Sequence, residues 1–98
     1  MIDLVVAKEF LDVIHNADDA KLQMLLDGVI DEACQFMGID SLDEIESSAP
    51  SSGTIPASIT LGVMLLLQAV YQASPEDAEI LRRAAEVKLT PYRTGWGA

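Results

Sequence analysis

Apolar residues recur three and four positions apart in four segments of this 98-residue chain, which is the spacing of one face of an α-helix. The pattern predicts helices near residues 4–12, 17–37, 56–73 and 75–89. β-branched residues at 13–14 favour a short extended connection between the first two segments. The predicted fold is therefore all-α, a small bundle of about four helices.

Residues that favour helix ends stand at the borders of these segments. The side chains of Asp3 and Ser74 can cap helix N-termini, and Asn16 offers a cap to the second helix. Gly38 is expected to end the second helix. Pro91 is expected to end the fourth, because proline lacks a backbone donor and disfavours helical geometry at the residue before it.

The third segment is apolar on nearly its whole circumference. We therefore expect it to be the central element, covered on more than one side by other helices or by another subunit. Gly28 and Gly62 lie inside the two longest predicted helices, where each costs roughly 1 kcal/mol relative to alanine. A close contact within or between subunits would explain both glycines.

Two segments fall outside the predicted helices. Residues 38–54 form a long loop rich in serine and acidic residues, which is either ordered by a neighbouring molecule or itself a contact surface. Residues 91–98 are expected to leave the bundle as a C-terminal arm, so the chain divides into a helical domain of residues 1–90 and this arm. The arm carries residue types that are common at binding hot spots, namely Tyr92, Arg93 and Trp96. Alternatively, its two aromatic residues fold back onto the bundle.

Charge is distributed unevenly over the chain, whose formal net charge is −10. Residues 1–79 hold fifteen acidic residues against two lysines, a net charge of −13, whereas residues 80–98 hold one glutamate against four cations, a net charge of +3. The basic end includes Arg82, Arg83 and Lys88. This polarity suits head-to-tail contact between copies or docking of the basic end on an acidic partner. Alternatively, the cations only complement the negative end of a helix dipole at a helix C-terminus. The acidic total disfavours direct binding of nucleic acid.

Side chains suited to catalysis are few. The one histidine, His15, is expected at the surface of a turn, and no spacing places it beside a nucleophile and an acid as a catalytic triad requires. Cys34 is expected to be a small buried hydrophobic residue, and as the single cysteine it cannot form an internal disulfide or a thiolate metal site. No phosphate-binding glycine motif or calcium loop occurs. The sequence therefore predicts neither an enzyme nor a cofactor or metal site.

The N-terminus and the cysteine content bear on location. A single cysteine favours a reducing compartment, and residues 1–4 include no basic segment ahead of a long apolar stretch, so no secretory signal is expected. The most apolar stretch, residues 57–71, is shorter than the roughly 20 residues that a membrane span needs. We therefore expect a cytoplasmic protein that has no membrane partner.

Three local motifs accompany this order of elements. They are an acidic turn at Asn16-Ala17-Asp18-Asp19, a helix opened by Ile55-Pro56-Ala57, and the ending Leu89-Thr90-Pro91-Tyr92-Arg93. With the long amphipathic second helix that ends in glycine, they resemble the small phage head–tail connector (adaptor, or head completion) family over almost the whole chain. The loop at residues 39–54 carries no part of this resemblance.

The resemblance implies a structural role in a virion. Family members form a homo-oligomeric ring, commonly a dodecamer, beneath the portal of the filled capsid, and the ring then receives the stopper or tail completion protein. DNA would pass through the ring without specific binding, which the acidic charge of most of the chain favours. The resemblance assigns portal docking to the C-terminal segment, here Pro91, Tyr92, Arg93 and Trp96. It places the protein at the head–tail interface after assembly in the host cytoplasm, without enzymatic activity.

A second function also fits the charge. A small acidic helical inhibitor or DNA mimic would block a basic partner with its carboxylates. The apolar third helix and the basic, aromatic tail fit this alternative less well, because it gives neither of them a role.

Overall fold

The computed structural model of the chain describes residues 2–42 and 55–93. The described residues form four α-helices and a 3₁₀ turn, in the order α1 (Leu4–Leu11), α2 (Asp19–Met37), α3 (Ala57–Tyr71), α4 (Pro75–Leu89) and the turn Thr90–Tyr92. No strand occurs in these two ranges, so the all-α prediction is confirmed, and every helix begins and ends within two residues of its predicted bounds. Most of the predicted acidic loop lies outside the described residues, as does Trp96 of the predicted arm.

Side chains and backbone geometry at the helix ends account for these bounds. The Asp3 carboxylate accepts a hydrogen bond from the Val6 N–H at 3.1 Å, and the Ser74 hydroxyl accepts one from the Asp77 N–H at 3.2 Å. Gly38 ends α2 in the left-handed conformation, with a φ of 76°. These three predicted ends are confirmed.

One predicted cap is wrong, because α2 begins at Asp19 and Asp18 occupies the cap position. The side-chain oxygen of Asn16 instead accepts a hydrogen bond from Lys8 Nζ at 2.8 Å. A contact with a neighbouring helix has replaced the local cap that the sequence suggested.

The hydrophobic core surrounds α3, which packs against each of the other three helices, as expected for the most apolar segment. Burial of a large aliphatic side chain contributes about 1.5–3 kcal/mol relative to an exposed position. The largest fully buried side chains are Leu22, Leu26, Met37, Ile59, Val63, Met64, Leu67 and Leu89. Four of these eight lie on α3, so this helix supplies the largest share of the core.

Gly62 lies at a close contact between α3 and α4. A β-carbon built at Gly62 would lie 2.9 Å from both Cγ and Cδ2 of Leu89 and 3.4 Å from the carbonyl oxygen of Ala85. Glycine at this position therefore allows the close approach that we expected. A β-carbon at Gly28 would meet no atom within 4 Å, and the residue is exposed on a side of α2 turned away from the core. A close contact of Gly28 within the subunit is thus wrong, whereas a contact between subunits stays a prediction.

The fourth helix ends at Leu89, before Pro91, as predicted, but the expected loss of helical geometry at Thr90 does not occur. Thr90 has helical geometry, with φ −53° and ψ −42°, and the 3₁₀ turn continues to Tyr92. The Thr90 hydroxyl donates to the Glu86 carbonyl at 2.6 Å, and Pro91 occupies an early position of the new turn, where no backbone donor is needed. Tyr92 then packs, half-buried, against the core. The predicted boundary between bundle and arm at residue 90 is therefore wrong, and the bundle extends at least to Arg93.

Candidate interaction surfaces

The interior of the described chain offers no polar site. No polar or charged residue is buried in residues 2–42 and 55–93. Within the same ranges, no group of three or more His, Cys, Asp or Glu side chains is placed to hold a metal ion. None of the described helices is long and apolar enough to cross a membrane. The candidate functional features are therefore the surfaces of the bundle.

The two residues singled out as possible reactive groups occupy structural positions. His15 is exposed, and its Nδ1 accepts a hydrogen bond from the Ala17 N–H at 3.3 Å. Cys34 is 2% exposed and belongs to the hydrophobic core. Both placements agree with the sequence expectations of a surface histidine and a buried, hydrophobic cysteine.

The outward side of α1 is an exposed apolar surface. Val5, Val6 and Phe10 are 64%, 36% and 39% exposed, although their side chains are large and apolar. Glu9 is also exposed, and because an α-helix has 3.6 residues per turn it projects from the same side of α1 as these three residues. These four residues are called the α1 face below.

Shallow grooves border the α1 face on both sides. A groove of about 430 Å³ lies between α1 and the start of α3, and its lining includes Phe10, Ile55 and Leu61. A second groove, of about 450 Å³, is lined by residues of α1 and of the following turn, including Ile14. Ile14 is 98% exposed. The packing of the bundle thus leaves a mostly apolar surface uncovered around α1.

A second apolar stripe follows the outer side of α4. Ile80 and Val87 are 66% and 69% exposed and lie about two turns apart, with Arg83 and Ala84 between them on the same side. The Arg83 side chain is 77% exposed and pairs with Glu79 at 2.6 Å. Exposed pairs of this kind contribute at most about 1 kcal/mol, so Arg83 can exchange its partner at little cost. The stripe formed by Ile80, Arg83, Ala84 and Val87 is called the α4 face below.

The predicted basic end is partly engaged within the chain. Arg82 forms an ion pair with Glu32, which joins α4 to α2, and Arg83 pairs with Glu79. Lys88 is exposed in the last turn of α4, where a positive charge complements the helix dipole. Arg82 and Arg83 are therefore partly neutralised by glutamates. Lys88 fits the alternative interpretation, in which the basic residues complement the dipole at a helix C-terminus.

Three residues of the predicted docking arm lie on the bundle. Pro91 is exposed, Tyr92 is half-buried, and the guanidinium carbon of Arg93 lies 4.8 Å from the centre of the Phe36 ring. Phe36 belongs to the last turn of α2, which has no basic residue of its own, so Arg93 brings a positive charge to that helix end. Trp96 lies outside the described residues.

A polar network that the sequence did not suggest ties the acidic turn to two helices. Lys8 Nζ donates hydrogen bonds to Asn16 and Asp19, each at 2.8 Å. The Tyr71 hydroxyl donates to the Asp18 carboxylate, also at 2.8 Å. This hydrogen bond raises the pKa of Tyr71, and both desolvation and the negative charge of Asp18 act in the same direction. In the sequence, only the position of Lys8 ahead of a polar turn points to its hydrogen bonds with that turn. The hydrogen bond of Tyr71 joins residues 53 positions apart, so no local pattern predicts it.

Comparison with known proteins found no match among family models, curated proteins or solved structures. The resemblance to connector proteins therefore rests on the sequence motifs, and a functional proposal depends on those motifs together with the surfaces of the described residues.

Proposed function

We propose that the chain is a structural head–tail connector (adaptor) subunit of a phage. Copies assemble into a ring beneath the portal, commonly a dodecamer in proteins of this kind, and the ring links the DNA-filled head to the stopper or tail completion protein. The subunit acts at the head–tail interface of the virion after assembly in the host cytoplasm. No catalytic step, cofactor or membrane takes part.

The exposed α1 face is the observation that carries this proposal. A catalytic or small-molecule site needs several polar groups that converge in a cleft, whereas the α1 face has the single carboxylate of Glu9 among Val5, Val6 and Phe10. Large apolar side chains grouped on one side of a helix are typical of protein–protein contact surfaces. This surface therefore supports a role in assembly.

The C-terminal end supports docking on a second protein. Pro91 is exposed at the edge of the bundle, next to the contact of Arg93 with Phe36. A folded end loses less conformational entropy on binding than an extended arm, so docking would use a surface that is already shaped. We assign portal docking to this end, with Trp96 following it in the sequence.

The acidic charge of the chain supports the proposal that DNA passes through the ring without being held. Asp27 and Asp31 are exposed one turn apart on α2 and accept hydrogen bonds from Gln23 and Gln35 at 2.9 and 3.1 Å. Carboxylates on a ring surface repel phosphates and let DNA slide past without being held. The purified protein is therefore expected to show no measurable affinity for duplex DNA at physiological salt, and tight, salt-sensitive binding would contradict this role.

The same exposed carboxylates favour the second candidate, an acidic inhibitor or DNA mimic. Such a protein binds a basic partner through Asp27, Asp31 and their neighbours, and this mechanism needs no contact between copies. The α1 face has no role in that mechanism. Self-assembly is therefore the property that separates the two candidates.

Two measurements test the connector proposal. Native mass spectrometry over a wide range of protein concentration is expected to detect a closed oligomer of one size. Immunogold electron microscopy of phage particles from a culture that produces this protein is expected to label the junction of head and tail. A chain that stays monomeric at every concentration, with no label at that junction, would contradict the proposal and leave the inhibitor as the better candidate.

A further inference from the structure

We propose that the α1 face of one copy binds the α4 face of a second copy, with Glu9 of one subunit opposite Arg83 of the other. This assignment rests on the proposed function, in which copies of the chain assemble. It identifies the two surfaces that meet between neighbouring subunits.

Both faces are apolar surfaces on the outer sides of helices. The α1 face presents Val5 and Phe10, and the α4 face presents Ile80 and Val87, all at least 39% exposed. Ala84 lies between the two large residues of the α4 face, where its small side chain leaves room for a residue of the facing helix. Contact between these faces would bury apolar area that the isolated subunit leaves in water.

The charges of the two faces are complementary. Glu9 lies among the apolar residues of the α1 face, and Arg83 lies between Ile80 and Val87. Arg83 is flanked on α4 by the exposed Glu79 and Glu86, so the complementary part of the α4 face is Arg83 itself. An α1 face against a second α1 face would bring two glutamates together, and two α4 faces would bring two arginines together. Like charges across an interface are unfavourable, so the pairing of α1 with α4 is favoured over either symmetric contact.

The two faces belong to different helices and share no residue, so one neighbour need not compete with the other for the same side chains. Each subunit can then offer its α1 face to one neighbour and its α4 face to another. A contact between two different surfaces is heterologous, and repeated copies of such a contact either close into a ring or extend into a filament. The proposed contact therefore has the symmetry that a ring requires.

Charge reversal tests the pairing. Glu9→Arg alone and Arg83→Glu alone each place like charges across the contact, and each is expected to raise the protein concentration for half-assembly by about tenfold or more. The double variant Glu9→Arg/Arg83→Glu restores the opposite charges with their positions exchanged and is expected to recover assembly. Lys21→Glu is the matched control, because it makes the same charge change as Arg83→Glu at an exposed position of α2. Circular dichroism and thermal melting establish that each variant is folded.

The outcomes separate this inference from the proposed function. If the unaltered protein remains monomeric at every concentration, the proposed contact fails, and the proposed function fails with it only when the label is also absent from the head–tail junction. If it assembles and neither single reversal weakens assembly, or if the double variant does not recover, the pairing is wrong while self-assembly stands.

Cross-linking separates a heterologous contact from symmetric ones. Glu9→Cys and Arg83→Cys are prepared as separate proteins and treated with a short bismaleimide, alone and as a mixture. The parent protein is the control, because Cys34 is 2% exposed in the core. Cross-linked dimers are expected in the mixture and in neither protein alone. Dimers of Glu9→Cys alone or of Arg83→Cys alone would show a symmetric contact and would overturn the proposal, as would the absence of any cross-link in an assembling protein.

Discussion

The guanidinium carbon of Arg93 lies 4.8 Å from the centre of the Phe36 ring, so the last described residue of the chain contacts the last turn of α2. The contact closes the bundle at the end where α2 stops. It also places the Leu-Thr-Pro-Tyr-Arg ending, one of the motifs that carry the family resemblance, on a folded surface.

Arg93→Ala is expected to lower the free energy of unfolding by about 0.5–1 kcal/mol, the range for a cation over an aromatic ring at an exposed site. Arg93→Lys keeps the positive charge and is expected to lose less. Urea denaturation measures both variants. A stability of Arg93→Ala equal to that of the unaltered protein would show that the ring contact contributes nothing.

Two truncations separate folding from docking. Deletion of residues 91–98 removes Tyr92 and Arg93 and is expected to lower stability by about 1–3 kcal/mol. A loss is expected because Tyr92 packs against the core and Arg93 contacts Phe36, whereas an arm that leaves the bundle would make no such contacts. Deletion of residues 94–98 removes Trp96 and retains the described contacts of Tyr92 and Arg93.

Thermal unfolding of the two truncations measures the difference in stability, and binding to portal-bearing heads measures docking. The proposed function predicts that deletion of residues 91–98 abolishes attachment and that deletion of residues 94–98, which keeps the folded end, weakens it through the loss of Trp96. Full attachment of the chain that ends at residue 93 would move the docking site away from Trp96.

Gly28 and Gly62 provide a matched pair inside helices. Gly28→Ala is expected to raise the free energy of unfolding by about 0.5–1 kcal/mol, since alanine favours the helix and its β-carbon meets no atom within 4 Å. The same propensity gain at Gly62 is opposed by overlap with Leu89, and overpacking costs about 1–3 kcal/mol. Gly62→Ala is therefore expected to be less stable than Gly28→Ala, and Gly62→Leu less stable still.

Denaturation of the three glycine variants checks this order. A Gly62→Leu variant more stable than the unaltered protein would contradict the close approach of α3 and α4. Native mass spectrometry of Gly28→Ala tests the remaining prediction for that glycine. If Gly28 lies at a contact between subunits, the variant should be more stable as a monomer and assemble less well.

The Tyr71–Asp18 hydrogen bond predicts a pH dependence at the alkaline end. The hydrogen bond to Asp18 and partial desolvation raise the pKa of Tyr71, so the folded chain holds this proton more tightly than the unfolded chain, in which the pKa is about 10. The stabilisation is fully present below pH 10 and is lost as the pH rises through the folded pKa. Tyr71→Phe removes this contribution and serves as the control for other groups that titrate there. Denaturation at a series of pH values should show a smaller alkaline loss for Tyr71→Phe, and identical profiles would contradict the assignment.

The helix bounds were predictable because their causes are local. Asp3, Ser74 and Gly38 act on backbone groups a few residues away, so a single sequence contains the whole cause. The predicted cap by Asn16 was wrong because its side chain binds Lys8 instead, and the expected non-helical geometry at Thr90 was wrong because a 3₁₀ turn follows the helix. Local chemistry predicts a helix end well only where no tertiary contact competes with it.

The candidate surfaces were less predictable, because exposure depends on how the helices are placed. Gly28 and Gly62 have the same local cost in a helix, and only the position of Leu89 tells them apart. Val5 and Val6 are consecutive apolar residues of an amphipathic pattern, and the spacing does not reveal that packing leaves both exposed. The contact of Tyr71 with Asp18 joins residues that are distant in sequence, so no local rule predicts it.

The burial of Cys34 makes it a natural reporter of internal motion. The chain has one cysteine, its side chain is 2% exposed, and a thiol reagent can reach it only when α2 moves away from its neighbours. The rate of modification therefore measures how often this part of the bundle opens under native conditions. A subunit held by neighbours on α1 and α4 should open less often, so the reaction should slow as the chain associates.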